Sequence, residues 1–219
     1  GESWHQRHQG RSSYDALADQ PENAATFHRA MVELTRRVAA DVLHAVDFNS
    51  AQRIVDVGGG SGELLAAVLA AHPAARGVLF DQDHAIAHAL PVLQRAGVAA
   101  RCECVAGSFF DGVPAAGDVY LLKSVLHNWD DERCIVILRR CREAMATGAR
   151  LLSIERLAPE QVGTGAKDRA LARSDLNMLV GPGGRERQQR EFAALLAVAG
   201  MALAAVHATR GEMSVIEAR

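Results

Sequence analysis

The chain has few cysteines, little net charge and no long apolar run. Its four cysteines, Cys102, Cys104, Cys134 and Cys141, form no CxxC pair and no secreted-type framework, so they read as reduced, mostly buried thiols. A formal net charge of -2 gives no electrostatic case for a nucleic acid or an anionic membrane surface. No apolar stretch is long enough to span a bilayer, and residues 1–11 are polar without a signal-peptide core, so a cytoplasmic location is expected. There is no internal repeat and no set of residues with metal-ligand spacing; His84 and His88 stand four apart but lack a third ligand. What is present is apolar bulk: 49% of the 219 residues are hydrophobic, enough to bury a large core in one α/β domain with a short leader.

Residues 1–50 read as a helical leader. Stretch 15–20 is helical in pattern, and in 22–46 Phe27, Met31, Leu34, Val38, Val42 and Val46 recur at helical spacing. From residue 51 the pattern changes to alternating strands and helices. Strands are expected at 53–57, 77–80, 101–106, 118–122 and 150–154, with helices at 63–71, 85–96, 131–145, 171–180 and 190–199. Residues 201–209 and 213–218 are two strands with no helix between them. Repeated strand–helix units with buried apolar strands predict a doubly wound, mostly parallel sheet, here ending in an antiparallel hairpin. The stretch 158–167 reads as a loop.

Ligands of such sheets bind beyond the carboxyl ends of the strands, where strand order reverses. The first strand runs into Gly58-Gly59-Gly60-Ser61-Gly62, where glycine permits a sharp turn and close approach of a ligand to the main chain. Asp81 ends the second strand, where a carboxylate can accept hydrogen bonds from both hydroxyls of a ribose. A dinucleotide and S-adenosylmethionine both fit this outline. The dinucleotide fingerprint GxGxxG fails at its last position, which is Glu63. A carboxylate there would repel a pyrophosphate, so a cationic sulfonium cofactor suits the turn better.

The segments Val55-Asp56-Val57-Gly58-Gly59-Gly60-Ser61-Gly62, Phe80-Asp81, Gly107-Ser108-Phe109-Phe110, Leu126-His127-Asn128-Trp129 and Gly183-Gly184-Arg185-Glu186-Arg187 follow in that order. Together they resemble the caffeic acid/isoflavone-type O-methyltransferases of plants and their bacterial relatives that tailor aromatic polyketides. The resemblance implies a Rossmann-like class I methyltransferase fold and a hydroxylated, phenolic small molecule as acceptor. It implies His127 as general base with Glu155 and Glu186 beside it. Cofactor contacts would come from Asp56, Gly58, Gly60, Asp81, Gln82, Ser108, Phe109 and Lys123, and acceptor contacts from Phe27, Met31, Asn128, Asn177 and Met178. A histidine at a strand end can take a phenolic proton near neutral pH, and a carboxylate partner favours the imidazolium that forms.

Two positions depart from the family: Ser108 stands where Asp is usual, and Asn128 where Asp is common. The family's N-terminal winged-helix-like dimerisation domain is expected to be absent, leaving 1–50 as leader and 51–219 as the cofactor-binding catalytic domain. Homodimerisation is therefore a family property without its usual surface here. Two alternatives to methyl transfer stand beside it: a relative that binds the cofactor but performs decarboxylation or hydroxylation, and a non-catalytic cofactor-binding fragment. A nicotinamide dehydrogenase is the weakest contender, because of Glu63. The charged segment 185–191 mixes signs and calls for no nucleic-acid partner.

Overall fold

The computed structural model describes residues 7–8, 10 and 20–219. Most of the expected helical stretch 15–20 therefore lies outside the described residues. The leader helix α1 is Pro21–Ala45, started by a proline at its first turn, where the missing N–H costs nothing, and by Glu22, which complements the helix dipole.

Strand β1 (Arg53–Val57) leads through the glycine turn into α2 (Glu63–Ala71). Strand β2 is Arg76–Asp81. The single helix expected at 85–96 is two helices, α3 (Asp83–Ile86) and α4 (Ala89–Arg95). Pro91 explains the break. Its ring would meet the carbonyl of Ala87 in a continuous helix, but in the first turn of a new helix its missing N–H is tolerated. The break also removes the one-helix geometry of His84 and His88. Among the described residues no cluster of three or more potential ligands could hold a metal.

Strands β3 (Cys102–Ala106) and β4 (Gly117–Lys123) follow, then α5 (Asp131–Ala144). Strand β5, Met145–Ala158, is much longer than expected, and helix α6 (Ala166–Val180) starts earlier. Asp168 accepts a hydrogen bond from the Gly165 amide at 2.9 Å and so caps α6, shortening the loop read at 158–167. A two-residue strand, β6 (Arg187–Gln188), precedes α7 (Gln189–Val198), and β7 (Leu203–Ala208) and β8 (Met213–Ala218) form the expected hairpin.

The sheet runs β3-β2-β1-β4-β5-β8-β7, with β6 attached to β5. The first five strands in that order are parallel, and β8 is antiparallel to β5. Order reverses between β1 and β4, which places the crevice there.

Alternation along the strands feeds two cores. Ile54, Leu79, Leu121 and Ile154 pack with Val42 of α1 and Leu65 and Leu69 of α2. Val55, Phe80, Leu122 and Ile216 pack with Ile137 and Leu138 of α5 and Phe192 of α7. Burial of each such side chain contributes about 1.5–3 kcal/mol. The thiol expectation holds for Cys134 and Cys141 and fails for Cys104, which is exposed because β3 is an edge strand. No described helix is long and apolar enough to cross a membrane.

Candidate active site

At the switch point lies a cavity of about 230 Å³. The tips of β1 and β2 shape it through the main chain. The Gly58 amide donates to the Phe80 carbonyl at 2.8 Å, and Gly58 and Gly60 adopt φ of 70° and 57°. These values lie in the left-handed region, which glycine enters without penalty. Asp81 is aimed by two backbone donors, the Gly60 amide to Oδ2 at 2.8 Å and the Gln82 amide to Oδ1 at 2.7 Å.

Of the residues named from the sequence, Gly58, Gly60, Asp81, Gln82, Ser108, Phe109, Lys123, Met31 and Asn128 line this cavity. Asp56 does not line it. Strand alternation turns it away from the crevice, and it is 1% exposed under the glycine turn with neither carboxylate oxygen hydrogen-bonded. Burial pushes its pKa up to about 7, against the pull of Lys123 and with a further push from Asp81. Lys123 is itself lowered by burial, with Asp56 and Glu155 opposing. The Ser108 hydroxyl accepts from the Phe110 amide at 3.3 Å, a local turn contact. Phe109, Phe110 and Trp129 pack edge-to-face, the last two 4.9 Å apart between centroids.

Glu63 lines the cavity too, but Arg36 and Arg95 both reach its Oε1 at 3.2 Å. The repulsion expected from its charge is therefore largely offset, and Glu63 alone does not decide between the two cofactors.

His127 is carried by a short 3-10 turn, Leu126–Asn128, just after β4. Its side chain is 16% exposed, and although its neighbours Val125, Asn128 and Trp129 line the cavity, His127 itself is not among the lining residues. Nδ1 lies 3.7 Å from Glu155 Oε2 and 3.7 Å from Glu186 Oε1. The two carboxylates differ. Glu155 is fully buried and accepts from the amides of Val125 and Leu126 at 3.1 and 2.9 Å, so it holds the turn as well as the imidazole. Burial raises its pKa, with His127 opposing. Glu186 Oε1 accepts from the Ser174 hydroxyl at 2.6 Å and has Arg156 Nη1 at 3.6 Å. Burial would raise Glu186 too, but His127, Ser174 and Arg156 outweigh it and hold its pKa below the usual range. Burial would lower His127, yet Glu155 and then Glu186 outweigh it, and its pKa is raised.

Asn128 has a structural explanation. Its Nδ2 donates to the Ser124 carbonyl at 2.9 Å, bracing a residue at φ 55° that an aspartate could not serve as donor. Gly184 presses on the same turn: a Cβ there would lie 2.0 Å from the His127 carbonyl oxygen.

Asn177 and Met178 stand on α6, outside the cavity lining; the Met178 carbonyl accepts from the amides of Gly183 and Gly184 at 2.8 and 3.0 Å. Phe27 lies on α1 with its side chain outside the described residues. Sequence reasoning missed Ser174, Arg156 and Arg187. None has a local signature, though a run of charges directly after Gly183-Gly184 was a usable hint for the last.

A doubly wound sheet with a glycine turn and an acid on adjacent strand tips is a nucleoside-cofactor-binding architecture. Comparison with known proteins makes this specific. A model of the O-methyltransferase domain matches residues 1–202, and the chain belongs to that family. It is 43% identical over 219 residues to the phenazine O-methyltransferase PhzM of Lysobacter antibioticus, covering all of this chain and 63% of that protein. It is 42% identical over 213 residues to an O-demethylpuromycin-O-methyltransferase of Streptomyces alboniger, covering 95% of this chain and 56% of the relative. The fold is that of class I methyltransferases. A crystal structure of the O-methyltransferase NcsB1 from neocarzinostatin biosynthesis, in complex with S-adenosylmethionine and 2-hydroxy-5-methyl naphthoic acid, superposes with a TM-score of 0.85 at 34% identity. That match covers 99% of this chain and 63% of NcsB1. A second NcsB1 complex holds S-adenosyl-L-homocysteine and 1,4-dihydroxy-2-naphthoic acid. The chain thus spans less than two thirds of the length of these relatives.

Proposed function

We propose that this chain is the cofactor-binding, catalytic part of an S-adenosylmethionine-dependent O-methyltransferase that methylates a phenolic hydroxyl of a small aromatic metabolite. The observation that carries the reading is the imidazole of His127 set between two buried carboxylates beside a switch-point cavity. The cavity residues fit the cofactor. Asp81 would hold the ribose hydroxyls, Phe109 would pack on the adenine, and Gly58 and Gly60 would admit the methionine part to the main chain. Gln82, Ser108 and Lys123 complete that lining, and Asp56 acts from beneath it. Bound there, the cofactor supplies an activated methyl group on a sulfonium for in-line displacement by the acceptor oxygen.

The chain's own residues supply proton transfer and positioning. With Nδ1 turned toward Glu155 and Glu186, Nε2 of His127 is the nitrogen that accepts the hydroxyl proton. The two carboxylates then stabilise the imidazolium and keep the ring oriented. Met31 and Asn128 wall the acceptor side, with Phe27, Asn177 and Met178 as further acceptor contacts. Holding both reactants in attack geometry can supply ~7–11 kcal/mol of the barrier.

The test has two parts. Calorimetric titration with S-adenosyl-L-homocysteine is expected to show one site that Asp81→Asn weakens about tenfold, through loss of charge-assisted hydrogen bonds. Incubation with S-adenosylmethionine and a panel of hydroxylated naphthoates and benzoates is expected to yield a methyl ether and S-adenosyl-L-homocysteine in equal amounts. Cofactor binding with decarboxylated or hydroxylated products and no methyl ether would refute transfer.

A further inference from the structure

Arg187 is fully buried, a rare place for a guanidinium, and the proton-transfer scheme does not use it. Its Nη1 donates to the Leu126 carbonyl at 2.9 Å and its Nη2 to the Trp129 carbonyl at 2.6 Å. Those two carbonyls bracket the turn that carries His127. The same guanidinium reaches Asp131 Oδ1 through Nε at 3.0 Å and Nη2 at 2.8 Å, which ties it to the first turn of α5. Cys134, also on α5, places its Sγ 3.1 Å from the Leu126 carbonyl and 3.6 Å from that of Trp129.

The neighbours of Arg187 act on the same turn. The Arg185 amide donates to the His127 carbonyl at 2.9 Å, and Glu186 stands at Nδ1 of the ring. Pairing of β6 with β5 sets Arg187 opposite Leu157, two residues beyond Glu155. Three consecutive residues therefore hold one carbonyl before the imidazole, its own carbonyl, one after it, and one edge of the ring. A planar fork with five N–H donors can serve two diverging carbonyls and a carboxylate together, whereas a lysine ammonium has no such fork.

We propose that Arg187 is a positioning residue for His127: its buried guanidinium, held between the Leu126 and Trp129 carbonyls, fixes the turn that presents the imidazole to Glu155 and Glu186. The claim rests on the reading of His127 as the base. A merely structural arginine would affect stability and leave the environment of the ring alone.

The experiment follows the ring itself. The chain is labelled at its nine histidines, the His127 resonance is assigned by comparison with His127→Ala, and its titration is followed by NMR. Glu155 and Glu186 face the ring, and Lys123 acts on it through its charge. In Arg187→Lys the charge is kept and the fork is lost. Its His127 midpoint is expected to move down relative to wild type while the Kd for S-adenosyl-L-homocysteine stays within about twofold, as befits a residue outside the cavity lining. An unchanged midpoint in a variant that still binds S-adenosyl-L-homocysteine would overturn the proposal. Should Arg187→Lys fail to fold, Arg187→Gln decides in the same way, since its amide can keep one carbonyl bond but has no guanidinium fork. The titration needs no acceptor. A failed base reading would appear instead as undiminished methylation of 1,4-dihydroxy-2-naphthoic acid by His127→Ala, an outcome separate from a failed clamp.

Discussion

At the glycine turn the cradle is held by the main chain of two adjacent strands, whereas at the His127 turn it is held by side chains arriving from far along the sequence. Gly58 bonds to the end of β2, and Gly60 and Gln82 aim Asp81. The His127 turn instead takes Glu155 from β5, Arg187 from β6 and the Arg185 amide, across separations of 29 residues for Glu155 to Leu126 and 61 for Arg187 to Leu126. A cradle made of backbone tolerates side-chain replacement. A turn made of side-chain bonds to backbone does not, because each lost partner removes a hydrogen bond from a buried carbonyl or amide.

The largest effect expected from this contrast is on chemistry alone. His127→Ala removes the proposed proton acceptor and nothing that lines the cavity. Turnover on a phenolic acceptor should fall about 10²–10⁴-fold, the usual worth of a positioned general base, while S-adenosyl-L-homocysteine binds about as in the wild type. Steady-state kinetics beside calorimetry measures both. Equal losses in turnover and in cofactor affinity would mean that the two regions are one.

The next effect compares a glycine from each region. Gly184→Ala drives a Cβ to 2.0 Å from the His127 carbonyl, and neither backbone segment can yield without losing the bonds that hold the turn. The expected cost is about 1–3 kcal/mol or more, with loss of turnover. Gly60→Ala meets nothing within 4 Å, so it carries only the left-handed penalty of roughly 1–2 kcal/mol. Urea denaturation of both variants, with turnover measured on the folded fraction, reads the difference. A Gly184→Ala variant that turns over normally would show that the His127 turn is soft.

The same contrast decided what the sequence disclosed. β1, α2 and the hairpin strands follow from patterns a few residues long, and so did the placement of Gly58, Gly60 and Asp81 at the cavity. Pro91 was visible, but its effect depends on whether the helix begins before or after it. β6 has two residues and no pattern of its own; it exists because β5 runs on to meet it. Arg187 sits in a run that reads only as mixed charge. Its burial follows from carbonyls sixty residues away, which no local window contains. The partners of Glu186, Ser174 and Arg156, were illegible for the same reason. Asp56 fits its motif yet points into the α1 and α2 layer, because strand period, not motif membership, decides the face.

The smallest effect is electrostatic, and it has opposite signs in activity and in stability. Because the carboxylates raise the pKa of His127, the neutral base accumulates only at a pH above the ordinary ~6.5. Turnover should therefore climb with pH across the neutral range, and Glu186→Gln should move that rise to lower pH. Folding responds the other way. A group whose pKa is higher folded than unfolded contributes stability that is fully present below its unfolded pKa and is lost as pH rises through its folded one. The wild type should thus lose more stability than His127→Ala as pH rises above the ordinary ~6.5, while it gains activity over the same interval. Urea midpoints taken across that interval for both proteins test this. Parallel midpoints would mean that the carboxylates orient the ring without holding its proton, and the comparison between the two turns would then rest on packing alone.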